Sequence, residues 1–198
     1  MFVSHKHRFV YMAPGKTGTT SMQAALSKAG AKPFMWKFTT PIPDTWEEIV
    51  AKHICHLPEE VKDYYVFATV RDPFKRQISR YLHGQRNRNP SQEEFEKFHF
   101  STTNRRSCYH LLHLQKEYVP PKGFVNYKIN KFLKLETLEK DFNSLPFIDK
   151  KIKFPHKNKN QISLDLNFTP EMVDHLTTTW QEDFEFFGYS KYYGIPLI

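Results

Sequence analysis

A short loop rich in glycine and hydroxyl residues is the part of the sequence best suited to hold an anion. It reads Gly15-Lys16-Thr17-Gly18-Thr19-Thr20 and is followed by Ser21. Glycine lets a bound group approach the backbone closely, and the amino end of a helix presents N–H groups that the helix itself leaves unbonded. Lys16 adds a full positive charge, and the hydroxyls can supply further hydrogen bonds. This combination favours binding of a phosphate or sulfate group.

The residues on either side predict that this loop joins a β-strand to an α-helix. The run from Arg8 to Ala13 is apolar and rich in strand formers, and the run from Met22 to Ala29 contains good helix formers that Gly30 ends. The hydroxyls of the intervening residues suit the start of that helix, because they can accept hydrogen bonds from its first N–H groups. Loops between a strand and a helix often bind phosphate.

The loop matches the nucleoside-triphosphate P-loop only in part. That motif reads G-x-x-x-x-G-K-[ST]. Gly15-Lys16-Thr17 agrees with its end, but Val10 stands at the position of its first glycine. A small ATP-dependent kinase is therefore one alternative. A glycine turn that only caps a helix, with Lys16 in solvent, is another.

A second anion-binding segment follows the clearest strand of the sequence, Tyr64 to Val70. Arg71-Asp72-Pro73 leaves that strand, and Ser79 lies eight residues after Arg71. Eight residues make just over two helical turns, so Ser79 shares a face with the start of the helix. An arginine fork and a serine hydroxyl could grip one phosphate at the carboxyl end of a strand. The alternative is an amphipathic helix with solvated charges, packed through Ile78, Tyr81 and Leu82.

The remaining patterns alternate between strands and helices. We predict strands at 34–38 and 132–135, and helices at 43–53, 73–84, 91–118 (two helices that meet near 101–104), 136–145 and 169–187. Such alternation favours an α/β protein with a mainly parallel central sheet. We therefore predict a single domain over residues 1–198, in three layers, with about four to five strands and a P-loop-like strand–loop–helix unit.

Composition and charge narrow the functional classes. The 198 residues are 39% hydrophobic and 25% charged, which excludes a disordered or collagen-like chain, and no run approaches the roughly 18 apolar residues of a membrane span. The formal net charge of +8 suits an anionic partner. The two cysteines, Cys55 and Cys108, are too few for a disulfide scaffold. The basic segment from Met1 to Arg8 leads into a strand pattern rather than the apolar run of a signal peptide. We expect a cytoplasmic protein without a metal site or a membrane partner.

Taken together, these segments resemble the sulfotransferase family, enzymes that use 3′-phosphoadenosine 5′-phosphosulfate (PAPS) as sulfuryl donor. The run from Lys16 to Ser21 looks like the family's loop for the 5′-phosphosulfate. The segment from Arg71 to Tyr81, with Arg76 and Ser79, looks like its 3′-phosphate motif. Cys55-His56-Leu57-Pro58 resembles the segment that carries the catalytic base in many members.

Two later segments extend the resemblance over most of the chain. Lys134 to Phe142 and Trp180 to Tyr189 are similar to segments of the carbohydrate-type branch. The sequence departs from the family at the loop, where Gly15 separates Pro14 from the lysine. It also lacks the Arg-Lys-Gly segment that closes over the nucleotide in the branch that acts on steroids and phenols. The resemblance is therefore to the carbohydrate-type branch.

The resemblance implies a role for each candidate residue. The donor would be PAPS, with 3′-phosphoadenosine 5′-phosphate (PAP) as product and no metal. Lys16 would offset the charge on the departing 5′-phosphate, and Arg71 with Ser79 would hold the 3′-phosphate. The 5′-phosphosulfate would be held by the residues Gly15, Lys16, Thr17, Gly18, Thr19, Thr20 and Ser21. His56 would accept the proton of the acceptor hydroxyl, with His53 as the second choice among ten histidines.

The acceptor would carry a hydroxyl group, and the branch favours a carbohydrate. Lys150 to Asn160 forms a basic, polar loop, and if it contacts the acceptor an anionic glycan becomes the more attractive substrate. The same loop leaves a non-enzymatic binder of nucleic acid or sulfated glycan as an alternative, although most charge runs are solvated surface. For the kinase alternative, Asp72 is the only candidate metal ligand at a strand end. We expect a sulfotransferase with no nucleic-acid partner.

Overall fold

The computed structural model of the protein describes residues 2–31, 34–35, 57, 59–85, 90–103, 128–149, 151–154 and 165–193. Its strands are β1 (Phe2–Ser4), β2 (Phe9–Met12), β3 (Phe34–Met35), β4 (Tyr65–Val70) and β5 (Ile129–Lys134). They form one sheet in the order β3-β1-β2-β4-β5. The neighbours β2, β4 and β5 run parallel, whereas β1 is antiparallel to both of its neighbours. The predicted α/β fold is confirmed, although the sheet is mixed where a mainly parallel one was predicted, because β1 and β3 add two antiparallel pairings. Both predicted anion-binding segments follow strands of the parallel half.

Helices follow the parallel strands along the chain. They are α1 (Thr19–Lys28), α2 (Pro73–Gly84), α3 (Gln92–Thr103), α4 (Leu138–Phe142), α5 (Pro170–Thr179) and α6 (Gln181–Phe187). The bounds of α2 agree with the prediction. Its start is fixed by Pro73 and by the Asp72 carboxylate, which accepts a hydrogen bond from the N–H of Lys75 at 2.9 Å. No helix in the described ranges is long and apolar enough to cross a membrane.

Apolar packing on both faces of the sheet produces the layers. Successive side chains of a strand point to opposite faces, so β2 contributes to two cores. Phe9 and Tyr11 pack with Met22 of α1 in one core. Val10 and Met12 lie in the other. Every residue of β2 is consequently buried, as is expected of a strand covered on both sides.

A third core joins α2 to the helices that come later in the chain. Phe74 and Tyr81 of α2 pack with Phe95 of α3 and with Trp180 and Phe184 around α6. The Tyr81 hydroxyl also accepts from the N–H of Ser91 at 2.9 Å, which fixes the segment before α3. α2 is therefore not the simple amphipathic helix of the alternative interpretation, since its polar residues Arg76, Gln77, Ser79 and Arg80 are buried as well.

Three predicted helices differ from the observed ones in their bounds or their caps. The predicted last helix is two helices, because Trp180 (φ −112°, ψ 28°) interrupts it with its ring buried in the third core. The predicted helix 136–145 begins as a 3₁₀ turn, Leu135–Thr137, and ends at Phe142. A hydroxyl cap was expected for α1, but its cap is Gly18, which has no side chain to accept a hydrogen bond.

Other predictions are met only in part. β1 was not predicted, and it pairs with β2 through the turn at residues 5–8. The strand predicted at 34–38 contains β3, and the remainder of it lies outside the described residues. The helix predicted at 43–53 and the second helix after residue 104 also lie outside them.

Glycines at two helix ends give a matched stability test. Gly188 ends α6 with φ at 63°, and a methyl group there would meet no atom within 4 Å. Gly188→Ala should therefore cost about 1 kcal/mol through the left-handed backbone alone. Gly84→Ala, in equally open space but without a positive φ, should stabilise the protein by about 0.5–1 kcal/mol. Urea unfolding of both variants measures the difference, and equal effects would contradict this account.

Candidate anion-binding site

Parallel pairing brings the ends of three strands to one edge of the sheet. Met12 of β2 lies opposite Ala68 of β4, and Val70 of β4 lies opposite Lys134 of β5. The glycine loop therefore leaves β2 beside the point where Arg71 leaves β4. The carboxyl edge of a parallel sheet is the usual place for ligands in α/β proteins.

The backbone of the loop is left-handed at two positions. Gly18 has φ at 88°, a conformation that favours glycine, and a Cβ atom there would lie 2.6 Å from Cδ1 of Leu135, so the Leu135 side chain would have to shift. Lys16 has φ at 67°. A left-handed conformation costs a non-glycine residue about 1–2 kcal/mol, and it persists only where the surroundings impose it. The contacts of the loop with its neighbours must therefore hold Lys16 in place.

A chain of buried hydroxyls holds the inner side of the loop. The Thr17 hydroxyl donates to the carbonyl of Pro14 at 2.7 Å. Its oxygen lies 2.8 Å from the Thr69 hydroxyl, which lies 2.8 Å from the Tyr11 hydroxyl. Each hydroxyl has one proton, so Thr69 donates to Thr17 and Tyr11 donates to Thr69. Burial raises the pKa of Tyr11, which keeps this terminal donor protonated.

The hydroxyl chain changes one expectation and adds two residues that the sequence analysis missed. The Thr17 side chain is fully buried and turned toward β4, so Thr17 can offer an anion only its backbone N–H. Tyr11 and Thr69 were overlooked because they lie inside strands. Each is a hydroxyl-bearing residue near the carboxyl end of an otherwise apolar strand. That pattern, repeated in two strands, is the signal that could have identified them.

The two predicted anion-binding segments are in direct contact. Nη1 of Arg71 donates to the carbonyl of Lys16 at 3.3 Å. Burial lowers the pKa of Arg71, and the nearby Glu136 carboxylate opposes that change. Arginine remains charged in proteins. A guanidinium cation thus lies at the backbone of the loop that carries the Lys16 ammonium group.

Glu136 fixes the turn that carries Arg71. One of its carboxylate oxygens accepts from the N–H of Asp72 at 3.0 Å, and the other accepts from the Tyr189 hydroxyl at 3.1 Å. The ammonium group of Lys134 lies 4.6 Å from the centre of the Tyr189 ring. Burial raises the pKa of Asp72, and its hydrogen bond to the N–H of Lys75 opposes the rise. Asp72 therefore serves as a helix cap, and Glu136 is a site residue that the sequence analysis did not identify.

The other predicted ligands lie on α1 and α2. Ser79 is buried in the second turn of α2, and Ser21 is buried in the first turn of α1, where Thr20 is exposed. Arg76, also part of the predicted motif, donates from Nε to the Gly15 carbonyl at 3.1 Å. No group of three or more metal-binding side chains occurs within the described part of the chain.

The predicted catalytic base lies outside the described residues, as do several basic residues. These are His53 and His56, with Lys150, Lys157 and Lys159 of the basic loop. Leu57, directly after His56, is described and is buried in the core that contains Val61 and Val66. The start of the basic loop is also described. There Ile152 is buried while its neighbours Lys151 and Lys153 are exposed.

The fold and the edge of its sheet define an α/β protein with a phosphate-loop-like strand–loop–helix unit. A family model described as the sulfotransferase family matches residues 1–190. The chain therefore belongs to the sulfotransferase family and is a transferase that moves sulfuryl groups. Comparison with curated proteins and with solved structures gave no match.

The order of donors in the hydroxyl chain can be tested by a double-mutant cycle. Thr69→Val removes the hydroxyl that accepts from Tyr11 and donates to Thr17, and should cost about 1–3 kcal/mol of unfolding free energy. Adding Tyr11→Phe removes the hydroxyl that has lost its bond to Thr69, so the double variant should be more stable than the sum of the single effects by about 1 kcal/mol. Thr69→Ser keeps the hydroxyl and is the control. Additive effects in urea unfolding would show that the hydroxyls of Tyr11 and Thr69 are not energetically coupled.

Proposed function

We propose that this protein transfers the sulfuryl group of PAPS to a hydroxyl of an acceptor. The observation that carries the proposal is the hydrogen bond from Arg71 to the Lys16 carbonyl. It joins two cationic segments that are more than fifty residues apart in the sequence. A donor with one anionic group at each end of its nucleoside requires two such segments side by side. The sulfotransferase family membership supports the same donor.

The residues present fit the donor at both ends. The loop with Gly15, Lys16 and Gly18 offers backbone amides and the amino end of α1 to the 5′-phosphosulfate. Thr19, Thr20 and Ser21 lie in the first turn of that helix. Arg71 and Ser79 would hold the 3′-phosphate, which ATP lacks, through a planar guanidinium and a hydroxyl.

The chemistry requires positioned charges and one base. The acceptor oxygen forms a bond to sulfur while the bond from sulfur to the 5′-phosphate oxygen breaks. Lys16 offsets the negative charge that builds on that oxygen, and preorganised charges of this kind are the largest contribution in group transfer. His56 takes the proton of the acceptor hydroxyl, a role worth about 10²–10⁴ in rate, with His53 as the second candidate.

A carbohydrate hydroxyl is the proposed acceptor, and an anionic glycan fits best. The net charge of +8 supports an anionic partner. Ile152 anchors the start of the basic loop in the core, so that Lys151 and Lys153 project to the surface. Two cysteines in 198 residues agree with work in a reducing compartment such as the cytoplasm.

The kinase alternative is less well supported. A kinase needs carboxylates to hold Mg²⁺ beside the triphosphate. Asp72 was the candidate at a strand end, and its carboxylate instead caps α2 through the Lys75 N–H. The position of the first P-loop glycine is Val10, a buried residue of β2.

Nucleotide binding without metal tests the donor. PAP should stabilise the protein in a thermal-shift assay with EDTA present, because no triphosphate charge needs a metal. Arg71→Ala should weaken the binding of PAP by about 10–100-fold and that of adenosine 5′-phosphate much less, because only PAP has the 3′-phosphate. Lys75→Ala, an exposed cation on the same helix, is the control. Stabilisation by ATP with Mg²⁺ but not by PAP would favour a kinase.

Turnover tests the role of Lys16. Lys16→Ala should lower kcat by about 10²–10³, because a charge that stabilises the leaving group is lost in the transition state. The assay uses sulfate-labelled PAPS and the acceptor identified from a panel of glycans and small hydroxyl compounds. Lys28→Ala, at the exposed end of α1, is the matched control. Full activity of Lys16→Ala would rule out this mechanism.

A further inference from the structure

Arg76 is a fully buried arginine that joins the anion-binding loop to the C-terminal helix. Its Nε donates to the Gly15 carbonyl at 3.1 Å, and its Nη1 lies 3.7 Å from Oδ2 of Asp183 on α6. Its guanidinium lies 5.2 Å from the centre of the Trp180 ring. Both charged side chains are 0% exposed. One side chain thus connects two segments that are far apart in the sequence.

Stability alone does not account for this arrangement. Burying an ion pair costs several kcal/mol per ion, and hydrophobic residues of similar volume are often as stable or more so. A second arginine on the same helix makes the cost larger. Arg80 lies 5.1 Å from the same Trp180 ring, and burial together with the charge of Arg76 lowers the pKa of Arg80 to about 9. Arg76 differs from Arg80 in that its side chain contacts the anion-binding loop, at the Gly15 carbonyl.

Three consecutive carbonyls of the loop are each held by a separate donor. The carbonyl of Pro14 accepts from the Thr17 hydroxyl, that of Gly15 from Arg76 and that of Lys16 from Arg71. In a trans peptide the N–H points away from the carbonyl of the same planar unit. Fixing these carbonyls therefore fixes the directions of the N–H groups of Gly15, Lys16 and Thr17. It also keeps three negative dipole ends away from a bound anion.

We propose that Arg76 is a positioning residue for sulfuryl transfer, and that it holds the Gly15 carbonyl so that the amide of Lys16 faces the 5′-phosphosulfate. This inference rests on the proposed function, because the anion is the 5′ end of PAPS. Asp183 and Trp180 of the C-terminal segment keep the Arg76 guanidinium in place. The helix α6 is then part of the donor site without touching the donor.

A double variant separates positioning from folding. Arg76→Met with Asp183→Leu replaces the buried pair by apolar residues of similar size and should fold. Its affinity for PAP should fall by about tenfold or more, because the Gly15 unit is free to turn its carbonyl toward the anion. Arg80→Met is the matched control, since it removes a buried arginine beside the same indole without touching the loop. It should bind PAP as the unmodified protein does.

Titration calorimetry with PAP and urea unfolding are measured on all three proteins. A stable double variant with unchanged PAP affinity overturns the proposal, and so does an equal loss of affinity in Arg80→Met. If the double variant does not fold, Arg76→Lys replaces it. A lysine keeps the charge but lacks the planar fork that reaches Gly15 and Asp183 together, so PAP affinity should fall by a few-fold in a protein that still folds but unfolds at a lower urea concentration.

Hydrogen exchange of residues 13–18 without nucleotide separates this inference from the proposed function. Exchange should be faster in the Arg76 variant than in Arg80→Met, because only the former frees the Gly15 peptide unit. If the unmodified protein does not bind PAP, the proposed function fails, and faster exchange still supports a positioning role of Arg76 in the loop. Equal exchange in both variants overturns that role.

Discussion

The carbonyl and the amide of one peptide unit point in opposite directions, and a site made from backbone amides depends on this constraint. An anion can bind to such amides only where the carbonyls of the same units point away from it. In this loop the carbonyls of Pro14, Gly15 and Lys16 accept from Thr17, Arg76 and Arg71. Two of these donors belong to the segment that follows β4. The shape of the loop therefore depends on the docking of α2 against the end of the sheet.

Buried polar groups surround the site and make this docking specific. Tyr11 and Thr69 lie in neighbouring strands and connect through hydroxyls to the loop. Glu136 connects the turn before α2 with Tyr189 near the C-terminus. Each group would cost about 1–3 kcal/mol if it lost its partner, so the elements that carry them cannot shift independently. This specificity comes with a desolvation cost, because Arg76 and Arg80 are both buried beside Trp180.

This architecture suits sulfuryl transfer, because such a reaction needs little from the protein beyond position and charge. Lys16 and Arg71 follow adjacent strand ends, and the hydrogen bond from Arg71 to the Lys16 carbonyl holds the guanidinium in place without a bound anion. Asp183 and Tyr189 of the C-terminal segment contact Arg76 and Glu136, which connect this segment to the loop and to the turn before α2.

Local patterns in the sequence determined the strand–loop–helix unit, the bounds of α2 and the two cationic segments. These features depend on neighbours within a few residues: glycines and hydroxyls between an apolar run and helix formers, or Asp72 and Pro73 at a helix start. They also determined the fold class, because alternating strands and helices leave few ways to cover a sheet.

Tertiary structure alone decided the features that depend on distant neighbours. Trp180 breaks the last helix because its ring is buried among residues of α2 and α3, which the pattern around position 180 does not contain. Gly18 stands where a hydroxyl cap was expected because its φ of 88° favours glycine and because Leu135, over a hundred residues later, packs against it. The sequence assigned Arg76 to the segment that resembles the 3′-phosphate motif, and only the folded chain shows that it donates to the Gly15 carbonyl of the other loop. Burial and contact at long range are properties of the whole fold, and no local spacing encodes them.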